Sequence, residues 1–316
     1  TDKYDQAYFV ETHNKNIYVM GQTNSTGMDF VKNVEYYQKG SNHFISILSK
    51  ELDTVYKSTT FGTAKGTPDI SPTAFMVDYC GRIYISGWGS NLGGGLSTLN
   101  LPFTDDAFQK TTDGNDFYIM VLENNIDSLV YATFFGGSQS TEHVDGGTSR
   151  FDKKGIIYQS VCAGCNGFSD FPIKPVPGAV SELNNSTNCN NGVFKFNFTP
   201  PIVVADFVCP KVICDQTVSF YNNSTTNGDQ MNYFWNFGDG NTSTQKNPSH
   251  QYLNSGQYNI TLITSSLNTC NLNDTITKTI YVLGGILDTI ADVKKCLNNT
   301  VQIGIATNST NTTYEW

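Results

Sequence analysis

The sequence has few charged residues and no excess of basic ones. Only 15% of its 316 residues are charged, and 28 acidic residues outnumber 19 lysines and arginines, which gives a net charge of −9. A protein that binds nucleic acid needs a basic surface that releases counterions from phosphates. The charge balance therefore argues against nucleic acid as a partner, and it also disfavours docking on anionic lipid.

Long apolar runs are absent as well. No run approaches the ~20 residues that a membrane-spanning helix requires, so we expect no membrane insertion. The chain opens at Thr1 in polar sequence that is typical of folded protein, without the pattern of a signal peptide. We interpret it as a mature or partial polypeptide.

Motifs of catalysis are also missing. The four histidines lie in separate segments, and neither H-E-x-x-H nor G-x-S-x-G occurs. The glycine-rich stretch "GWGSNLGGG" (87–95) lacks the spacing of a phosphate-binding loop. We therefore predict that this chain is not an enzyme and has no catalytic or cofactor-binding residues.

Aromatic residues and internal repeats are abundant. "NIYVMGQT" (16–23), "RIYISGWG" (82–89) and "IIYQSVCAG" (156–164) share an Ile-Tyr step after a turn. A second element recurs at 43–62 and 116–137 and, shortened, at 193–198. Each full repeat offers four short strands, which is the unit of a β-propeller blade.

Alternation within "DFYIMVLENN" places apolar side chains on both faces of one strand. Phe117, Ile119 and Val121 share one face, and Tyr118 and Met120 share the other. A strand with two apolar faces is expected where a blade is sandwiched between its neighbours.

Two stretches carry a resemblance to a known repeat. "MVDYCGRIYISGWGS" and "FTDDAFQKTTDGNDFYIMVLENNIDSLVYATFFGGS" resemble the SBBP-type β-propeller repeats of large secreted surface proteins of Bacteroidetes, over about residues 7–199. The resemblance implies propeller-type repeats in residues 1–199. Propellers need at least ~4 blades and three repeats are visible. Either the N-terminus of the parent protein is missing, or the blades form an open stack.

A Pro-Pro step in "TPPIVVADFVCP" ends the repeats, and residues 200–284 follow with shorter strands typical of an immunoglobulin-like sandwich. The segment "YFWNFGDG" resembles the W-x-F-G-D-G turn of the PKD domain, which implies an extracellular spacer or interaction module without catalytic residues. Residues 285–316 resemble the beginning of another Ig-like or PKD-like domain, truncated. The resemblance implies structural roles for Trp235, Phe237, Gly238, Asp239 and Gly240.

Eight cysteines in an acidic, Asn- and Thr-rich chain favour an oxidising compartment and disulfides. Spacing alone does not fix the pairing; we predict Cys214 with Cys270 and Cys165 with Cys189. Zinc bound by Cys162, Cys165 and Cys189 is the alternative, but no histidine or fourth cysteine stands at ligand spacing.

Four hydroxyls follow an aspartate and precede an aliphatic residue, a pattern that resembles the O-glycosylation motif of Bacteroidetes. Ordinary turn-to-strand sequence is the alternative interpretation. The candidate acceptors are Thr54, Ser128, Thr275 and Thr289.

Two ligand sites are further candidates. Trp88 offers a ring for stacking on a sugar, or belongs to a simple loop. Asp113, Asn115 and Asp116 offer hard oxygen ligands for Ca²⁺, or form a polar hairpin turn.

Together these features predict an all-β, non-enzymatic, extracellular structural or adhesive segment of a large cell-surface protein, such as a stalk, filament or adhesin. The resemblance implies type IX secretion and association with gliding motility. Expected partners are other surface proteins, copies of the chain itself, or polysaccharide. The alternative is an ancillary or carbohydrate-binding region of a secreted hydrolase.

Overall fold

A computed structural model describes residues 1, 3–90, 95–144, 149–173, 178–213, 216–226 and 230–283. Within these ranges the chain is almost entirely β-structure, and one short 3₁₀ turn at Cys165–Gly167 is the helical segment. The all-β prediction is confirmed. No helix in the described ranges has the length and apolarity needed to cross a bilayer.

The chain divides into two compact units. The first comprises Thr1–Val204, Thr225–Met231 and Ser265–Asp274. The second comprises Ala205–Ser224, Asn232–Thr264 and the described part of Thr275–Trp316. The predicted third module at 285–316 lies outside the described residues.

Three antiparallel sheets form most of the first unit. Sheet 1 follows the order β1-β2-β3-β4 and sheet 2 the order β5-β6-β7-β8, so each is a meander of successive hairpins; sheet 3 has the order β11-β10-β9. The strands are β1 (Asp5–His13), β2 (Asn16–Thr23), β3 (His43–Leu48), β4 (Val55–Phe61), β5 (Ser71–Val77), β6 (Ile83–Trp88), β7 (Phe117–Leu122), β8 (Leu129–Phe135), β9 (Ser149–Asp152), β10 (Ile156–Ala163) and β11 (Asn190–Asn197).

Sheets 1 and 2 repeat the same strand register. The third hairpin of sheet 1 begins at the pair His43–Phe61, and that of sheet 2 begins at Phe117–Phe135. Each hairpin has one irregularity just before its last pair, which is Leu48–Val55 in sheet 1 and Leu122–Leu129 in sheet 2. The first strand of each of these sheets also contains a register shift. The register shifts fall at equivalent positions of the two sheets, so the sequence repeats are repeats of structure.

The middle sheet is buried on both faces. Tyr118, Met120 and Leu122 of β7 pack into a core with residues of sheet 1. Phe117 and Ile119 pack into a second core with residues of sheet 3. The predicted two-faced burial of this strand is thus present. The first strands of successive sheets are also neighbours, since β1 contacts β5 and β5 contacts β9.

The second unit is a small sandwich around Trp235, which is fully buried against Phe207 and Phe220. Its main sheet has the order β14-β22-β21-β18-β19, in which β14 runs parallel to β22. The remaining short strands form the pairs β13–β16 and β15–β20, while β12 pairs with β17 in the first unit. The strands are β12 (Val203–Val204), β13 (Phe207–Val208), β14 (Val212–Ile213), β15 (Thr217–Ser219), β16 (Tyr221–Asn222), β17 (Thr225–Thr226), β18 (Asn232–Asn236), β19 (Thr242–Ser243), β20 (Ser249–Gln251), β21 (Gly256–Ser265) and β22 (Asn273–Val282).

Candidate functional site

The turn between β18 and β19 is fixed by its backbone and by two aromatic anchors. The indole N–H of Trp235 donates to the carbonyl of Gln245 at 2.9 Å, and the hydroxyl of Tyr252 donates to the carbonyl of Phe237 at 2.9 Å. Gly238 has a φ of +81°, which favours glycine. These contacts fix the conformation of a tight turn.

The acidic residue of this turn is engaged within it. Oδ1 of Asp239 accepts the backbone N–H of Asn241 at 3.0 Å, and Oδ2 lies 2.7 Å from Nε2 of His250. The His250 ring stacks on Phe237 with centroids 4.2 Å apart. Partial burial acts to raise the pKa of Asp239, but the hydrogen bonds from His250 and Asn241 lower it. A carboxylate held ionised in this way suits a structural role better than that of a general acid.

The structure joins Cys165 to Cys189, the pair that the sequence indicated. It corrects the other prediction, because Cys270 is bonded to Cys80. The turn Ser265–Asp274 that carries Cys270 belongs to the first unit, and its backbone bonds to the Pro201 carbonyl there. Assigning both cysteines to one sequence domain was therefore misleading. Cys214 lies outside the described residues.

Three of the four proposed glycan acceptors are exposed at strand starts. Thr54 and Ser128 occupy equivalent positions in the β3–β4 and β7–β8 hairpins, where each carbonyl accepts a backbone N–H across the turn. Thr275 is exposed in β22. Thr289 lies outside the described residues. These positions are accessible to modification and are also ordinary turn positions.

The two further ligand candidates lie in different environments. Trp88 ends β6 half-buried against the second core, with its ring 5.9 Å from that of His143. Asp113 accepts the backbone N–H of Asn115 at 2.8 Å, as in a polar turn. The side chain of Asp116 is instead fully buried.

Sequence reasoning missed the carboxyl groups with which Asp116 clusters. A side chain at Gly136 would collide with carboxylate oxygens of both Asp116 and Glu142. Glu142 accepts the N–H of Gly137, just as Asp69 accepts that of Thr63 in the first repeat. A signal in the sequence is the acidic residue that follows each Phe-Gly pair, eight positions after Phe61 in the first repeat and seven after Phe135 in the second.

Burial raises the pKa of these acids. The pKa of Asp116 rises to about 7 because the group is desolvated and faces other carboxylates, and burial likewise raises the pKa of Glu142 to about 7. Nearby Asp170 differs: hydrogen bonds from Ser140 and Gln139 outweigh its partial burial and lower its pKa. In the first repeat Asn42 stands where Asp116 stands in the second, so the fold does not require a carboxylate there.

A polar cavity of about 710 Å³ lies in the first unit, where turns of sheets 1 and 2 meet. Its wall is rich in amides and phenols and includes the Cys80–Cys270 disulfide. The ammonium group of Lys57 is already bonded to the carbonyls of Asn33 and Asn125. The main polar lining residues are His13, Asn14, Asn16, Asn33, Tyr18, Tyr56, Tyr79, Asn124 and Asn125.

Comparison with known proteins identifies part of the chain. Residues 199–282 match the family model described as "PKD domain", so this segment is a PKD domain. The predicted structural turn lies within it.

The relatives are similar over short segments. A "Microbial collagenase" of Vibrio alginolyticus is 39% identical over 69 residues, which are 22% of this chain and 8% of that protein. "Collagenase ColA" of Bacillus cereus is 42% identical over 52 residues, which are 16% of this chain and 5% of that protein. The crystal structure of the PKD1 domain of Vibrio anguillarum Epp is 28% identical, with a TM-score of 0.24, and the match covers 26% of this chain and 95% of that one. The chain thus spans less than a tenth of the length of the two collagenases.

Replacing Gly238 by alanine should destabilise the PKD domain by about 1–3 kcal/mol. The new Cβ would lie 2.7 Å from the carbonyl oxygen of Asn259, in addition to the strain of a positive φ. Gly240→Ala is the matched control, because its φ is also positive (+95°) but its Cβ would meet nothing within 4 Å. Urea unfolding should show a larger loss for Gly238→Ala; equal losses would contradict the close-approach explanation.

The first unit should lose stability as the pH rises from about 4 to 7. The ordinary pKa values of the two acids are 3.8 and 4.5, so in this interval the folded state holds more protons than the unfolded state. Asp116→Asn, which installs the residue found at position 42, should reduce this slope. Melting temperatures from pH 4 to 8 would test it, and an unchanged slope in the variant would argue against burial of an acid at this position.

Proposed function

We propose that this chain is a non-enzymatic extracellular segment of a large cell-surface protein, with a structural and adhesive role. The observation that carries the proposal is the stack of sheets with repeated register, braced by disulfides and followed in the chain by a PKD domain. Stacked repeats bury a continuous core and so make a stiff element. Disulfides persist in oxidising surroundings, which supports an extracellular location.

In this proposal sheets 1 to 3 are blades of the β-propeller type. The meander order and the adjacency of β1, β5 and β9 support it, because the first strands of successive blades lie side by side around a propeller axis. The proposed division is residues 1–199 for blades, 200–284 for the PKD domain and 285–316 for a further Ig-like module. The partners of this protein would be other surface proteins or further copies of the chain.

The second candidate is an ancillary, carbohydrate-binding region of a secreted hydrolase. The polar cavity of the first unit favours it, since asparagine amides and tyrosine rings suit neutral sugars better than charged ligands. Tyr56 and Tyr79 are 46% and 41% exposed at the cavity, which leaves their rings accessible. The similarity of short segments of this chain to two collagenases agrees with a role as an accessory module.

Antibodies raised against this 316-residue polypeptide would test the first proposal on the source cells. We expect them to label intact cells, to recognise a polypeptide several times larger than 34.8 kDa, and, as Fab fragments, to reduce attachment. Labelling only after lysis would refute the surface location. A secreted band that carries hydrolase activity would favour the second candidate.

Binding to an array of neutral glycans would test the cavity. Tyr56→Ala and Tyr79→Ala should each weaken binding about tenfold, since stacking and hydrogen bonds at one aromatic residue contribute roughly 1–2 kcal/mol. Tyr281→Ala is the matched control, because Tyr281 is 48% exposed on the second unit and outside the cavity. The absence of binding, or an equal loss in all three variants, would eliminate the cavity as a glycan site.

A further inference from the structure

Three side chains with metal-binding atoms meet next to β10. A ring nitrogen of His143 and the sulfurs of Cys165 and Cys189 all lie within 4.8 Å of one another. The Nδ1–Sγ distance between His143 and Cys165 is 3.8 Å. Across the described part of the chain, no other group of three His, Cys, Asp or Glu residues has this geometry.

Backbone structure, and not only the disulfide, holds the three residues together. His143 forms an isolated bridge with Cys162 of β10, through hydrogen bonds of 3.2 and 2.9 Å. Cys165 lies in the 3₁₀ turn that follows β10, and Cys189 immediately precedes β11, which pairs with β10. Backbone contacts thus position all three candidate ligands at strand β10, in addition to the sulfur–sulfur bond.

The spacing of His143 and Cys165 suits a tetrahedral zinc ion, and the two sulfurs separate once the bond between them is reduced. Zinc binds thiolate sulfur at about 2.3 Å and imidazole nitrogen at about 2.0–2.1 Å, which places ligand atoms about 3.6–3.8 Å apart. The observed Nδ1–Sγ distance falls at this value. In the sequence, no histidine stands at ligand spacing from the cysteines that were considered for zinc. The fold brings His143 to Cys165 and Cys189 from a different segment.

We propose that His143, Cys165 and Cys189 bind one Zn²⁺ when the disulfide is reduced, with water in the fourth position, so that metal and disulfide are alternative states of one site. A phosphine or dithiol reductant supplies two electrons, the S–S bond breaks, and the sulfurs take up two protons as thiols. Zn²⁺ then displaces those two protons as the thiolates become ligands. Re-oxidation requires the metal to leave, because both sulfurs are occupied. This inference does not depend on the proposed function.

Cobalt titration of the reduced full chain would test the site, since Co²⁺ bound to thiolate shows a charge-transfer absorption that oxygen ligands do not give. We expect reduced protein to bind Co²⁺ with this band and Zn²⁺ to displace it. His143→Ala should weaken binding about tenfold or more, with all eight cysteines still present. The oxidised protein should lack the band.

Two variants separate this site from other thiols. Cys162→Ser should retain binding, and Cys80→Ser/Cys270→Ser, which removes the other disulfide, should retain it too. The melting temperature of oxidised His143→Ala shows whether that variant is folded. A thiolate band unchanged in His143→Ala, or one lost in Cys162→Ser, would overturn the proposal. Zn²⁺ should also slow re-formation of the Cys165–Cys189 disulfide about tenfold, and an unchanged rate would count equally against it.

Discussion

Burial of both faces of the middle sheet is the constraint on which the first unit depends. Strand β7 has Phe117 and Ile119 on one face and Met120 and Leu122 on the other, and none of these side chains is accessible to water. A sheet of this kind is unstable alone, because one apolar face would always meet solvent. Sheets 1 and 3 cover the two faces with separate cores. The stability of the stack is therefore cooperative, because each sheet needs its neighbours to cover its apolar faces.

The turns after the last strands of sheets 1 and 2 are held by carboxyl groups, where the core is held by apolar contact. Asp69 and Glu142 each accept the backbone N–H that follows a Phe-Gly pair at the end of a four-stranded sheet. The shared role explains why an acid recurs there although the surrounding residues differ. Asp116 adds a second buried carboxyl in the second repeat alone. Its pKa is raised because burial disfavours the charged form.

The two disulfides lie at different kinds of position. Cys165–Cys189 joins the segments next to β10 and β11, which already pair as strands, whereas Cys80–Cys270 joins residues 190 apart in sequence. The long-range bond closes the larger loop and restricts the unfolded chain more. It also lies in the wall of the polar cavity, so one covalent link both ties the Ser265–Asp274 turn to sheet 2 and shapes the candidate binding surface.

The sequence by itself determined the β-structure, the repeated strands and the PKD turn, because these depend on local alternation, on glycine at positive φ and on residues close in the chain. It also indicated the pair Cys165–Cys189, although spacing alone left the pairing open. Tertiary structure alone decided that Cys270 meets Cys80, that His143 meets two cysteines, and that Asp116 faces Glu142. Each of these contacts joins segments whose proximity depends on how separate hairpins and sheets pack, and no spacing rule within one segment encodes that packing.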